Sequence, residues 1–292
     1  MKVPILTPIL VSLTLMLTVP AGAQDYRIDL TRSIDWSDWT LDIGVVLNLA
    51  SAGLKMPAGR SQAEEAADME FPRLAQPHLF ALPVDSSTTV ESTMRSGILS
   101  IGAIAGVAIG AKRSAAWLSP DLKELTTGYR IKLLDLVSQL VRHRSAAEAP
   151  RTLEPRPTRP YSGILIYASE ELPLRGTRTV TRAEPCFFPK VWDSEMNLIY
   201  EKNMIEPAIA RSRGIVRYGS SMDETSYEEF IGSDPLRILA RGLFGIRPTD
   251  PIIDRDDALK IISSAENRAL LREGRVVIVI KEKALNLLPS IK

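Results

Sequence analysis

The sequence predicts an α+β protein made of two small modules, each combining a β-sheet with packed helices. Three observations point to this class. Residues 39–47 alternate between apolar and polar side chains, residues 133–141 carry apolar side chains at helical spacing, and a proline-rich segment separates two such mixed halves. We therefore expect an N-terminal module at 24–143, a linker at 144–160 and a C-terminal module at 161–285.

The start of the chain has the pattern of a secretory signal peptide. Residues 3–19 are apolar and free of charge, and Ala21 and Ala23 form the small-x-small motif of a cleavage site. We predict a signal peptide over 1–23 and hence an exported protein. No cysteine lies near this cleavage site, so the sequence offers no acceptor there for a lipid anchor.

Composition argues against several classes of partner. The 36 basic and 35 acidic residues almost cancel, whereas nucleic-acid binding needs a concentrated basic face. The only cysteine, Cys186, lies in the apolar stretch "CFFPKVW" and cannot form an intramolecular disulfide. We interpret it as a small buried hydrophobe rather than a nucleophile. The fold must therefore be held by its core.

The N-terminal module is expected to open with the strand at 39–47, in which Trp39, Leu41, Ile43 and Val45 share one face. Ser61 and Glu64 then match a capping box and predict the start of a helix. Pro72 and Pro77 predict a kink in that helix, or its division into two short helices. Further along, Thr88 and Glu91 match a second capping box.

Three glycines mark the next segment, 97–111. Gly102, Gly106 and Gly110 are spaced four apart, and glycine inside a soluble helix costs about 1 kcal/mol relative to alanine. We therefore expect a helix that ends near Gly102 and a glycine-bearing strand after it. The segment is too short to span a bilayer. The alternative is that its glycine-marked face makes peripheral contact with a membrane or binds a partner. A strand pair and the helix at 133–141 complete this module.

The C-terminal module is expected to begin with a buried strand in "YSGILIYAS", which contains Ile164 and Ile166. Two strands should follow about a turn near Asp193, and Asp254 should cap a helix. The run "RVVIVI" at 275–280 predicts another buried strand. The order of strands, helix and strand favours an α+β arrangement.

No motif in the sequence predicts a catalytic, cofactor or metal site. A P-loop, a Gly-x-Ser-x-Gly elbow and a His-Glu-x-x-His motif are all missing from the sequence. The sequence contains only two histidines and one cysteine, which makes a zinc site unfavourable. We therefore predict no catalytic residue, no cofactor and no metal.

A family resemblance extends over roughly residues 33–281. Its motifs are "SIDW", "AEEAADMEFPRL", "VDSSTTVE", "YSGILIYASEELPL", "PCFFPKVWDSEMNLIY" and "RVVIVI". In this order they resemble the FlgP-type flagellar and envelope lipoproteins and the related lipoprotein-antigen proteins of bacteria. The hairpin of that pattern is matched by Pro189, Val191, Asp193, Leu198 and Tyr200.

The chain departs from this family pattern at three points. The usual turn glycine is replaced by Met196 or Asn197, the lipidated cysteine is missing, and Pro72 and Pro77 interrupt an otherwise Ala-rich helix. The resemblance implies modules of the dodecin-like or SHS2 kind, location in the periplasm or at the outer-membrane periphery, assembly into flagella-associated rings or discs, and no enzymatic activity.

Two hypotheses about function follow. The first is a non-enzymatic structural protein that associates with itself or with other envelope or flagellar proteins. It would pair through exposed strand edges such as those of "YSGILIYAS", which carries Ile164 and Ile166, or "GIVRYGS" at 214–220. The second is a periplasmic domain that binds a small anionic ligand through the loop bearing Arg175, Arg178 and Arg182. A solvent-facing basic loop is the simpler interpretation of those arginines.

Overall fold

The computed structural model describes residues 28–50, 52–54 and 59–289. The predicted signal peptide, with Ala21 and Ala23, lies outside these residues and stays a prediction. Within the described ranges, no helix is long and apolar enough to cross a membrane.

The N-terminal module packs helices against an antiparallel sheet. Its elements are β1 (Ile28–Asp35), β2 (Thr40–Asn48), α1 (Gly59–Phe80), α2 (Val90–Arg95), α3 (Ile101–Ile109), β3 (Lys112–Arg113), β4 (Trp117–Leu118), β5 (Glu124–Lys132) and α4 (Leu133–Leu140). The strand order is β1-β2-β5-β3, and β4 also pairs with β5. The predicted alternation in β2 is confirmed, because Leu41, Ile43 and Val45 are all buried. The predicted strand pair and the helix after it are confirmed by β4, β5 and α4.

The first long helix differs from its prediction. α1 begins at Gly59, so Ser61 lies inside it, and Glu64 pairs with Arg60 and Arg113 instead of forming a capping box. The predicted division into two short helices is wrong, because α1 continues through both prolines. The alternative, a kink within one helix, stays a prediction. Its residues Phe71, Ala75 and Leu79 are buried on one face and span both proline positions. We infer that this shared burial outweighs the missing backbone hydrogen bonds.

The glycine-marked segment is a helix where a strand was expected. α3 is capped by Ser100, whose Oγ accepts a hydrogen bond from the Ala103 N–H at 3.1 Å, and it runs past Gly102 and Gly106. Its Ile104 and Val107 side chains are buried, and α3 packs on α1. This packing compensates for the local cost of the glycines within the helix.

The capping box in the loop before α2 is shifted by one residue from its predicted position. The Thr89 hydroxyl oxygen accepts a hydrogen bond from the Ser92 N–H, and the Ser92 hydroxyl oxygen accepts one from the Thr89 N–H. The predicted pair, Thr88 with Glu91, does not form the box. Glu91 instead makes an ion pair with Arg95 on the helix surface.

The linker at 144–160 contains no helix or strand and lies along the C-terminal module. The Ala147 N–H donates to the Asn203 carbonyl at 2.7 Å, and the Arg156 N–H donates to Ser263 Oγ at 3.0 Å. These contacts hold the linker at two places along its length. It is therefore docked on the module that follows it.

The C-terminal module is built around a parallel sheet with the order β11-β15-β6-β12. Its elements are β6 (Ile164–Tyr167), β7 (Leu172–Pro173), β8 (Val180–Thr181), β9 (Val191–Asp193), β10 (Leu198–Tyr200), α5 (Pro207–Arg213), β11 (Arg217–Gly219), α6 (Glu228–Ile231), β12 (Leu236–Leu239), β13 (Gly242–Phe244), β14 (Asp250–Ile253), α7 (Arg255–Ile262), α8 (Ala265–Arg272), β15 (Val276–Val279) and α9 (Glu282–Leu285). A second four-stranded sheet has the order β10-β9-β14-β13, and β7 and β8 form a two-stranded sheet. Both halves of the chain thus contain helices and sheets, as predicted.

The predicted hairpin about Asp193 is confirmed by β9 and β10. Its turn residue Met196 has a φ of 66°, in the left-handed region that favours glycine. The family resemblance placed a glycine at this turn, at Met196 or Asn197. Met196 therefore adopts a backbone conformation that glycine would favour, at the position where the resemblance led us to expect a glycine.

Candidate functional site at the module junction

One continuous apolar core joins the two modules. At their junction Trp36 and Trp39, from the connection between β1 and β2, meet Phe187 and Tyr218 of the C-terminal module. The ring centroids are 5.5 Å apart for Trp36 and Phe187, 6.1 Å for Trp39 and Phe187, and 6.4 Å for Trp36 and Tyr218. Aromatic pairs contribute about 0.5–1.5 kcal/mol beyond their buried area. This aromatic cluster therefore stabilises the contact between the modules.

A glycine allows one ring of the cluster to approach the backbone. Gly214 has a φ of 79°, and a Cβ at this position would lie 2.8 Å from Trp39 Cζ2. A side chain here would meet both a strained backbone and the indole ring. Glycine is therefore required at position 214, where the Trp39 ring packs against the backbone of the second module.

The loop at 83–89, which we call the clasp loop, adds backbone hydrogen bonds to the junction. The Phe188 N–H donates to the Val84 carbonyl at 2.8 Å, and the Arg247 N–H donates to the Ser86 carbonyl at 2.8 Å. Two separate segments of the C-terminal module thus bind this one loop of the N-terminal module. The clasp loop contains most of the "VDSSTTVE" motif of the family resemblance, so that motif makes an inter-module contact.

Asp85 fixes the shape of the clasp loop. Its Oδ1 accepts hydrogen bonds from the N–H groups of Ser87 at 2.9 Å and Thr88 at 2.8 Å. Burial alone would raise the pKa of the Asp85 carboxyl, but these hydrogen bonds outweigh it and lower the pKa. The charged form therefore holds the turn that presents the loop to the second module.

A buried polar cluster lies on the second-module side. The Asp250 carboxylate accepts hydrogen bonds from the Lys190 N–H at 3.2 Å and from Thr249 Oγ1 at 2.8 Å. Burial raises the pKa of Asp250 despite these bonds. Burial, followed by the charge of Asp250, also raises the pKa of the Cys186 thiol. The Tyr218 hydroxyl is hydrogen-bonded to the backbone of Cys186 at 3.1 Å. The hydrogen bonds of these groups stabilise the fold. The raised pKa of the Cys186 thiol disfavours a thiolate nucleophile.

A cavity of about 260 Å³ opens at the same junction. Its lining comes from both modules and from the chain after α9: Trp36, Ala81, Pro83, Glu184, Pro185, Arg247, Leu287, Leu288 and Pro289. The Trp36 indole Nε1–H is buried and has no hydrogen-bond partner among the described residues. Leaving a buried donor unpaired costs about 1–3 kcal/mol, so the atom requires an explanation.

The histidines have local structural partners. The Arg32 guanidinium donates to His78 Nδ1 at 3.2 Å, and burial, followed by the charge of Arg32, lowers the pKa of His78. The ring of His143 is hydrogen-bonded through Nε2 to the Ile205 carbonyl at 2.9 Å. No group of three or more potential metal ligands converges within the described ranges.

The candidate assembly strand is not at an edge of its sheet. Ile164 and Ile166 lie in β6, which pairs with β15 on one side and with β12 on the other. Both side chains are buried. The expectation that this strand pairs between subunits is therefore wrong, because its backbone hydrogen bonds are made within the sheet. β11, which carries the other stretch considered for pairing, is an edge strand in this sheet.

The candidate anion-binding arginines lie on the small hairpin of β7 and β8. Arg175, Arg178 and Arg182 are exposed, and Arg182 makes an ion pair with Glu171 at 2.9 Å. None of the three lines the junction cavity. The arrangement corresponds to the simpler interpretation, a basic hairpin in solvent.

The junction residues were missed at the sequence level for a physical reason. Trp36, Glu184 and Arg247 are far apart in the chain and meet only because the two modules pack together. Trp36 belongs to the stretch "SIDW", and nothing in the spacing of that stretch indicates a partner more than a hundred residues away. A tryptophan between polar residues in "IDWSDW" was the available hint.

Comparisons with known proteins agree with two modules. A family model for the N-terminal domain of Treponema pallidum Tp0624 matches residues 27–139, and a model for the second domain of the same protein matches residues 163–282. No curated protein matches the chain. The matches fall on the two modules on either side of the linker, so the two-module α+β architecture is confirmed. In two consecutive modules, the chain is similar to the N-terminal and second domains of Treponema pallidum Tp0624.

Proposed function

We propose that the chain is a non-enzymatic exported envelope protein that serves as a structural or assembly component. Its contact surface is the outward face of α3, formed by Ile101, Gly102, Ala105, Gly106 and Ile109. The occupant of this face is a second copy of the chain. This replaces the strand pairing expected at β6, which the sheet topology excludes.

The observation that carries the proposal is the exposure of α3. The helix has no polar residue, yet Ile101 is 59 % exposed and Ile109 is 71 % exposed. A soluble helix that is apolar all round is normally buried all round. Burying an isoleucine fully contributes about 1.5–3 kcal/mol, so covering both side chains would favour association.

The glycines of α3 support the same surface. A Cβ at Gly106 would meet nothing within 4 Å, so packing inside the chain does not require glycine there. The cost of about 1 kcal/mol in a helix needs another reason. Close approach of a partner backbone is such a reason, and a self-complementary glycine stripe suits two identical helices that cross.

The cysteine and histidine side chains are held in the fold by burial or hydrogen bonds, which supports a structural role. The Cys186 thiol is buried with a raised pKa, and each histidine is bonded to a neighbouring group. Export to the periplasm or outer-membrane periphery is supported by the N-terminal apolar pattern. Assembly into a flagella-associated ring or disc is supported by the family resemblance alone.

The test is the mass of purified chain 24–292, measured by light scattering after size exclusion over a concentration series. We expect oligomers from the natural sequence and monomers from the double substitution Ile101→Lys with Ile109→Lys. The matched control is Ile246→Lys in the other module, where the side chain is 84 % exposed. This control should leave the oligomers intact.

Two outcomes would overturn the proposed contact. One is a monomer at every concentration of the natural sequence, and the other is an unchanged oligomer in the double variant. Sedimentation with anionic lipid vesicles separates a membrane contact from self-association. Binding to vesicles by a monomeric protein, lost in the double variant, would assign the α3 face to a membrane surface instead.

A further inference from the structure

A large and a small residue lie at opposite ends of the outward face of α3. Gly102, near the start of the helix, and Ile109, its last residue, are about two turns apart and therefore share one face. The Ile109 side chain is 71 % exposed, whereas a Cβ added at Gly102 would meet only Ser100 Oγ, at 4.0 Å. The face thus has an isoleucine projecting at one end and open space above a glycine at the other.

This face is complementary to itself in one orientation only. When two α3 helices lie side by side and antiparallel, a two-fold axis exchanges their ends. Gly102 and Ile109 are equally far from the midpoint between them, so an axis through that midpoint places Ile109 of each copy above Gly102 of the other. In a parallel pair the two isoleucines meet each other, and the two glycines face each other across a gap. The antiparallel pair fills the open space at both ends.

The termini of α3 favour the same orientation. The first turn has no acidic residue and the last turn has no basic residue, so no charged side chain within the helix compensates the partial charges of its ends. In an antiparallel pair, the positive N-terminus of each helix lies beside the negative C-terminus of the other. In a parallel pair, like ends are adjacent. Packing and charge therefore favour the antiparallel arrangement.

We propose that the α3 face binds the same face of a second copy, with the helices antiparallel and Ile109 of each copy packed on Gly102 of the other. This inference rests on the proposed function, which names a second copy as the occupant, and it adds which part of that copy makes the contact. A contact in which both copies use the same surface is closed by its two-fold axis. The α3 contact therefore joins two chains, and a larger ring or disc would need another surface.

The experiment is disulfide crosslinking between copies that carry one engineered cysteine each. A disulfide requires Cα atoms about 4.4–6.8 Å apart. In the antiparallel pair the two residues 109 are about 10 Å apart along the helix axes, whereas residue 102 of one copy is next to residue 109 of the other. On oxidation, a mixture of Gly102→Cys and Ile109→Cys should give several times more covalent dimer than either variant alone. The natural sequence is the control, because Cys186 is buried and should not crosslink.

A third variant keeps the test decisive if Gly102→Cys does not fold. Ala105 lies next to the midpoint of the antiparallel pair, so Ala105→Cys should form a disulfide with its own copy. Ile109→Cys alone should not, because its two copies lie toward opposite ends of the pair. In a parallel pair Ile109→Cys would crosslink with itself.

The outcomes separate this inference from the proposed function. Light scattering of the natural sequence should give the mass of a dimer. A dimer in which Ile109→Cys crosslinks alone as strongly as in the mixture, or in which no combination crosslinks, would overturn the antiparallel contact only. A larger oligomer that the double variant Ile101→Lys with Ile109→Lys reduces to monomers would overturn the closed contact only. A monomer at every concentration would overturn both this inference and the proposed contact.

Discussion

The aromatic cluster at the module junction and the outward face of α3 are both apolar, but only the aromatic cluster is buried. At the junction, Trp36 and Phe187 are buried by each other, and the clasp loop adds backbone hydrogen bonds around them. On α3, Ile101 and Ile109 face outward beside Gly106, where an added Cβ would meet nothing within 4 Å. The junction therefore supplies stability within the chain, whereas the α3 face keeps apolar area available for a partner.

The comparison shows why an apolar residue type alone does not indicate a binding surface. Trp36 belongs to the largest side chains of the protein and is still fully enclosed, because the second module supplies complementary rings. Ile101 and Ile109 of α3 remain exposed, because α3 packs on α1 through its opposite face. The three predictions below test this contrast between a closed and an open apolar surface.

The largest effect is expected from Trp36→Ala at the junction. Removing a buried aromatic side chain typically lowers the free energy of unfolding by about 3–5 kcal/mol. The matched control is Trp117→Ala, because Trp117 is 58 % exposed on β4, and a change of about 0.5 kcal/mol is expected there. Urea unfolding of both variants measures the difference. Similar losses in the two variants would contradict the assignment of the junction as the stabilising contact.

A smaller effect is expected from Asp250→Asn, and it depends on pH. Burial raises the pKa of Asp250 in the folded state, so the folded state binds this proton more tightly than the unfolded state does. The contribution of Asp250 to stability is present at low pH and is lost as the pH rises from the unfolded pKa through the folded pKa. The stability of Asp250→Asn relative to the natural protein should therefore increase over that window and then become constant.

Asp193→Asn provides the control of opposite sign. Burial would raise the pKa of Asp193, but hydrogen bonds from Asn197 and Arg255 outweigh it and lower the pKa. Its contribution is present above the unfolded pKa and is lost as the pH falls through the folded pKa. Urea unfolding at a series of pH values should show opposite trends for the two variants. A common trend would refute the charge states assigned to these carboxyl groups.

Much of the fold was predictable from local patterns, and the junction was not. The alternation of Leu41, Ile43 and Val45 identified β2, because one side of its sheet is buried. The apolar run at 275–280 identified β15 as buried, and both of its neighbours in the sheet are parallel strands. The prediction for β6 was right about burial but wrong about its edge, because strand order is set by contacts that are distant in sequence.

The wrong predictions for α1 and α3 share one physical cause. Glycine and proline were weighed by their local cost, yet α3 runs past Gly106 and α1 runs past Pro72. In both helices, burial of one face against the rest of the module outweighs that cost. The cavity residues were not predicted either, because Glu184 and Arg247 are ordinary loop residues until the modules meet.

The smallest effect and the sharpest distinction come from Gly106→Ala on α3. A Cβ at this position meets nothing within 4 Å, and alanine favours the helix, so the free energy of unfolding of the monomer should increase by about 0.5–1 kcal/mol. The added methyl groups should also keep two α3 helices from approaching closely, so the oligomer should weaken. Urea unfolding at low concentration and light scattering at high concentration measure the two effects separately. If the variant gains stability and keeps its oligomers, the glycine stripe lies outside the contact between copies.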